Sequence, residues 1–123
     1  MKTFFFDTYA LLAVYFGNAS YQGYVDCQVV TTRLNLMEAY YQLLRDHGEN
    51  IASRYYDVTL HYSMDFTDTD VKDAMKFRLE MKRKGHNLSY MDAMGYTIAS
   101  RLKVKFLTGD REFEGLPNVE YVK

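Results

Sequence analysis

The sequence predicts an α/β fold of three layers, with a mainly parallel sheet covered on both faces by helices. Three observations carry that expectation. Short runs of bulky or β-branched residues alternate with longer stretches of helical periodicity, as in Thr3–Phe6 before Tyr9–Phe16. The segments between successive strand candidates are long enough to be crossovers, which parallel strands require. Apolar residues make up 48% of the 123 and charged residues 25%, enough for a core in one domain and too few charges for a disordered chain. Residues 1–123 are therefore read as one domain.

Thr3–Phe6 is a strand of bulky β-formers. Asp7-Thr8 follows directly, and either side chain can cap the helix expected over Tyr9–Phe16, which Gly17-Asn18 stops. Gln28–Thr32 is a second strand. Leu34–His47 is helical, with Leu36, Ala39, Tyr40, Leu43 and Leu44 at helical spacing and Gly48 as its stop. Glu49–Tyr56 is a further short helix, and the alternation in Asp57–Ser63 predicts the third strand. Thr67–Lys84 is a charged amphipathic helix turning Val71, Ala74, Met75, Leu79 and Met81 inward. Gly85 ends it. Ser89 caps the next helix, Tyr90 to about Lys103, where Ala93, Gly95 and Ala99 would let it lie close to a sheet. Val104–Leu107 is the fourth strand, Thr108-Gly109-Asp110 turns off its end, and Val119–Val122 is the last strand.

The formal net charge of −1 gives no whole-molecule attraction to nucleic acid or membrane, although a local basic face can hide in a neutral total. A single cysteine, Cys27, excludes an internal disulfide, fits a reducing compartment and reads as a small apolar packing residue. The apolar start is interrupted by Asp7 and lacks a small-residue cleavage site, and no run approaches the ~20 apolar residues of a membrane span. A cytoplasmic location is expected. Many of the twelve tyrosines are expected at the edge of the core, ring packed and hydroxyl in water.

Two acids stand out by position. Asp7 and Asp110 each follow the C-terminal end of a strand, where open parallel sheets bind their ligands. Paired carboxylates there suit a hard cation such as Mg²⁺ or Mn²⁺. Glu38 and Asp92 lie within helices, where acids are usually solvated, and an Asp near a helix start also suits the dipole. The residues alone leave those two open.

The segments FFFDTYALLA, NLMEAYY, SYMDAMGYTIASR and KFLTGDREFEGLPNVEYV resemble the PIN-domain family, and within it the VapC-type toxin ribonucleases. The family pattern is an Asp after the first strand, a Glu in a helix, an Asp in a later helix and a T-x-D-x-x-F turn. It falls here on Asp7, Glu38, Asp92, and Thr108 with Asp110 and Phe113. The likeness spans essentially the whole chain.

The resemblance implies strand order 3-2-1-4-5 and one site for Asp7, Glu38, Asp92 and Asp110, holding Mg²⁺ or Mn²⁺ for RNA hydrolysis. Asp7, Asp92 and Asp110 would hold the metal, and Glu38 would orient water or complete the coordination. Thr8 and Thr108 would position the carboxylates, with Glu112 standing where many members have an Asp. It also implies an RNA substrate, an antitoxin partner and a homodimer. Arg101, Lys103 and Lys105 are the basic candidates for RNA. A PIN-fold RNA- or protein-binding module with little or no catalysis, and a housekeeping RNA-processing nuclease, are the competing readings. An aspartate-nucleophile phosphatase is disfavoured, because Tyr9 stands where a second Asp would be needed. His47, His61 and His86 show no metal-ligand spacing, and the seven methionines read as core filler.

Overall fold

A computed structural model describes residues 1–123. Five parallel strands form one sheet: β1 (Thr3–Phe6), β2 (Gln28–Thr32), β3 (Ser63–Met64), β4 (Lys105–Thr108) and β5 (Val119–Tyr121), in the order β3-β2-β1-β4-β5. Five helices connect them: α1 (Thr8–Tyr15), α2 (Arg33–His47), α3 (Glu49–Thr59), α4 (Asp68–Arg83) and α5 (Tyr90–Leu102). The expected α/β class and strand order are both found.

β1 is central, and its TFFF sequence explains how two cores share one strand. Side chains alternate across a strand. Phe4 and Phe6 enter one apolar cluster with Leu11, Leu36, Leu43 and Tyr55, while Phe5 enters a second with Ala74, Met81, Ile98, Phe106 and Phe113. Helices α1 to α3 therefore cover one face, and α4 with α5 the other. A strand buried on both faces reads as a continuous apolar run, as this one does.

The expected strand over Asp57–Ser63 is overturned for most of its length. α3 continues to Thr59, a 3₁₀ turn covers Leu60–Tyr62, and β3 keeps only Ser63–Met64. The apolar alternation there marks no buried face, since Val58 is 64% and Tyr62 43% exposed. The buried Ala52 and Tyr55 set a helical period instead, and the Thr59 hydroxyl donates back to the Tyr55 carbonyl at 2.6 Å. A 3₁₀ helix over Ala19–Tyr24 was not expected from the sequence. Val71 and Leu79, expected inside, are exposed, as is Leu44 at the edge of the apolar spacing of α2. Tyr21 is not one of the tyrosines at the core edge: it is fully buried, and its hydroxyl donates to the Val122 carbonyl at 2.6 Å instead of meeting water. No helix is long and apolar enough to cross a membrane.

Candidate active site

β1 and β4 are neighbours and parallel, so the residues that follow them emerge side by side at one sheet edge. Asp7 follows β1 and caps α1, its Oδ1 accepting from the Ala10 N–H at 2.8 Å. Thr108 ends β4, and its buried hydroxyl donates to Asp7 Oδ2. The same hydroxyl oxygen accepts from the Asp110 N–H at 2.9 Å, so one threonine fixes both acids relative to each other. Asp110 in turn caps the next turn, accepting from the Glu112 N–H at 3.0 Å.

Asp92 arrives from the flank. Ser89 and Asp92 form a capping box at the start of α5, the Ser89 hydroxyl accepting from the Asp92 N–H at 3.0 Å and Asp92 Oδ2 accepting from the Ser89 N–H at 3.3 Å. Glycine at position 95 sets the height of that helix. A Cβ there would stand 2.9 Å from ring carbons of both Phe5 and Phe106, so α5 sits on the sheet at a distance only Gly allows.

Glu38 lies on the exposed side of α2, one turn after the buried Asn35. Asn35 Nδ2 donates to Thr8 Oγ1 at 3.3 Å, and its Oδ1 accepts from the Thr32 hydroxyl at 2.8 Å, tying α2 to the start of α1. Sequence reasoning passed over Asn35, though a polar residue one turn from Glu38 on the inward face of an amphipathic helix was a usable signal.

Asp7, Glu38, Asp92 and Asp110 line one cavity of about 530 Å³, together with Thr8, Tyr9, Gln42, Ser89, Gly109, Arg111 and Lys123. Burial pushes the Asp7 carboxyl up to about 7, against the lowering hydrogen bonds from Thr108 and Ala10, with the charges of Asp92 and Asp110 adding to the rise. Asp92 is also raised, chiefly by burial and further by Asp110 and Glu38. The acids thus feel one another. They do not converge into a cage: no group of three or more His, Cys, Asp or Glu side chains is drawn together closely enough to hold a metal. Asp7, Asp92 and Asp110 each spend an oxygen on a helix or turn cap.

As a donor set the cavity suits a hard divalent cation. It offers oxygen ligands only, and a cation would relieve the crowded negative charge. Mg²⁺ keeps several waters and needs few direct protein ligands, so acids spaced around a cavity can hold it.

The remaining residues named from sequence fall as follows. Thr8 lines the cavity, but its hydroxyl bonds Asn35 and no carboxylate. Glu112 turns away, toward the Asn87 N–H at 3.4 Å and His86 Nδ1 at 3.8 Å. Arg101 forms a two-point ion pair with buried Asp70, at 2.7 and 2.9 Å, joining α5 to α4. Lys103 and Lys105 stand at the N-terminal end of β4, the opposite sheet edge from Asp110. The cations that do line the cavity are Arg111 and Lys123. Nothing local in the sequence marks either; both reach the site through the placement of β4 and β5.

Comparison with known proteins gives a consistent picture. The family model for the PIN domain matches residues 4–118. No curated protein matches. Among solved structures, VapBC2 from Rickettsia felis bound to a promoter DNA fragment is similar, at TM-score 0.76 and 17% identity over 98% of this chain and 99% of that one. VapC20 of Mycobacterium tuberculosis, a sarcin–ricin-loop-cleaving toxin, matches at TM-score 0.75 and 17% identity, covering 98% and 99% of the two chains. A toxin–antitoxin complex from Klebsiella pneumoniae matches at 0.72 and 18%, covering 94% of each. At such identities the likeness to solved structures is one of fold.

Proposed function

Since the chain belongs to the PIN domain family, we propose that it is a divalent-metal-dependent endoribonuclease acting as the toxin of a toxin–antitoxin pair. The observation that carries this reading is the gathering of Asp7, Glu38, Asp92 and Asp110 around one cavity at the carboxyl edge of β1 and β4. The toxin assignment, with an antitoxin as partner and RNA as substrate, is supported by structural neighbours that are themselves toxin–antitoxin complexes or an RNA-cleaving toxin. On the family resemblance we also propose a homodimer.

Asp7, Asp92 and Asp110 would hold Mg²⁺ or Mn²⁺. Bound there, the cation would acidify a water and offset the charge of the phosphate. Glu38, on the α2 side and more exposed, orients the attacking water. Thr108 holds the Asp7 carboxylate and the Asp110 backbone in fixed relation. Arg111 and Lys123 place positive charge where a flanking phosphate would otherwise meet only acids.

A second reading, a PIN-fold binding module with little catalysis, is favoured by one observation: the acids are not preassembled into a cage. A cleavage assay on unstructured and structured RNA separates the two. The nuclease reading expects cleavage with Mg²⁺ or Mn²⁺, less with Ca²⁺, none with EDTA, and none from the Asp110→Asn variant. RNA binding without metal-dependent cutting would favour the module. Co-expression with the product of an adjacent small reading frame tests the antitoxin: it should restore growth that the chain alone arrests.

A further inference from the structure

One peptide group at the start of α5 is held from both sides. Its N–H, that of Ser89, donates to Asp92 Oδ2 at 3.3 Å as one half of the capping box. Its carbonyl, that of Leu88, accepts from Arg78 Nε at 2.9 Å. Arg78 stands on α4, ten residues before Leu88, so a side chain of one helix reaches the first turn of the next. The guanidinium is itself fixed, lying over the Tyr90 ring at 4.5 Å from the centroid. No carboxylate comes within ion-pair range of Arg78, and the Leu88 carbonyl is its one acceptor in the protein. The Leu88 side chain anchors that carbonyl from the inside, buried in the cluster of Phe5, Met81 and Ile98. Arg78 does not line the acidic cavity, whereas Ser89 and Asp92 both do.

We propose that Arg78 is a positioning residue for the candidate metal site, orienting the Asp92 carboxylate through the Leu88–Ser89 peptide. This rests on the reading of Asp92 as a metal ligand and extends the site to a residue of α4. A peptide group is rigid and planar, so a donor that fixes its carbonyl also fixes where its N–H points. A cationic donor on the carbonyl further polarises the group, which strengthens its N–H as a donor to Asp92. Asp92 Oδ2 is thereby held, and Oδ1, which accepts from no protein donor, is left for a cation. Groups behind a ligand set its direction and its basicity, and so the affinity of the metal. The plain alternative is that Arg78 only fastens α4 to α5. The Arg101–Asp70 pair already does that at the other end of these helices. A fastener would change stability alone, whereas a positioning residue changes what Asp92 binds.

The test is the Mn²⁺ dissociation constant, without RNA and well below every melting temperature, for the natural chain, Arg78→Met and Arg78→Lys. Arg78→Met keeps the bulk of the side chain but removes the donor and the charge, and should bind Mn²⁺ about tenfold more weakly. Arg78→Lys keeps a cationic donor for the carbonyl and should recover most of that loss. In an Asp92→Ala background, Arg78→Met should cost nothing further. A second readout needs no metal: the NMR resonance of the Asp92 side-chain carboxyl carbon, in EDTA at fixed pH. It should move in Arg78→Met and return toward its natural position in Arg78→Lys. An unchanged Mn²⁺ dissociation constant in Arg78→Met overturns the proposal, even if the variant melts earlier. So does an equal loss in Arg78→Lys or in the Asp92→Ala background. If the natural chain binds no Mn²⁺, the metal reading of the site falls and the carboxyl carbon alone decides. A shifted resonance then keeps Arg78 as the group that orients Asp92, and an unshifted one removes it.

Discussion

Asp7 carries two demands that pull its chemistry in opposite directions. As the cap of α1 and the acceptor from Thr108 it is favoured as an anion, while burial beside Asp92 and Asp110 opposes ionisation and pushes the group up to about 7 from 3.8. A raised carboxyl keeps its proton in the folded chain after the unfolded chain has lost it, so its stabilising contribution is full below 3.8 and is lost as pH rises through about 7. In EDTA, Asp7→Asn should therefore be at least as stable as the natural chain at pH 8. Denaturant titrations at pH 5 and pH 8 should show the natural chain losing about 2–3 kcal/mol relative to the variant between those pH values. A variant less stable at both would mark Asp7 as a structural cap alone. Gly109 makes a second residue-scale prediction. Its φ is ordinary, and glycine is needed there for the room that Tyr9 occupies. Gly109→Ala should cost about 1–3 kcal/mol alone and much less in a Tyr9→Ala background, measured as a double-mutant cycle.

Among the elements, α5 sets the accuracy of the site, because it carries Asp92 and its height on the sheet is fixed by Gly95. Gly95→Ala gains helix propensity but drives a methyl toward Phe5 and Phe106. The net effect should be a loss of about 1–3 kcal/mol in thermal or urea unfolding, with a fall in metal affinity as Asp92 moves. A stabilised variant with unchanged metal binding would show that α5 has slack. The elements were legible in sequence wherever local and tertiary preferences agreed. β1, β2, α2 and α5 announced themselves through β-formers, helical spacing, the cap Ser89 and the stop Gly48. Asp57–Ser63 misled because alternation implies a strand only when one alternating set is buried, and here Val58 and Tyr62 face solvent. Arg101 misled for a related reason: its partner Asp70 is 31 residues away, and no local pattern distinguishes a clamped arginine from one free to meet phosphate.

Across the whole molecule, strand order makes the site. β1 and β4 are far apart in sequence but adjacent in the sheet, and that adjacency sets Asp7 beside Thr108 and Asp110. Those acids were legible because both stand at strand ends. Glu38 and Asp92 were open from the residues alone, since helix acids are commonplace, and only the ordered family pattern joined them to the others. Tyr9, Gln42, Arg111 and Lys123 went unmarked as cavity residues because only the folded sheet brings them there. A ligand that prefers the folded chain must stabilise it, so Mn²⁺ at ~100 times its dissociation constant should add about 2.7 kcal/mol to the natural chain. Asp7→Asn should forfeit most of that gain in a thermal melt. The most direct test of the central claim is the single-turnover cleavage rate of one RNA in Mg²⁺ by the natural chain, Asp7→Asn, Asp92→Asn and the double variant. If these carboxylates act through one site, each single change should remove most of the rate and the double variant should be little worse than either. Losses that multiply independently, or an Asp7→Asn variant that cuts at the natural rate, would contradict a single four-carboxylate site.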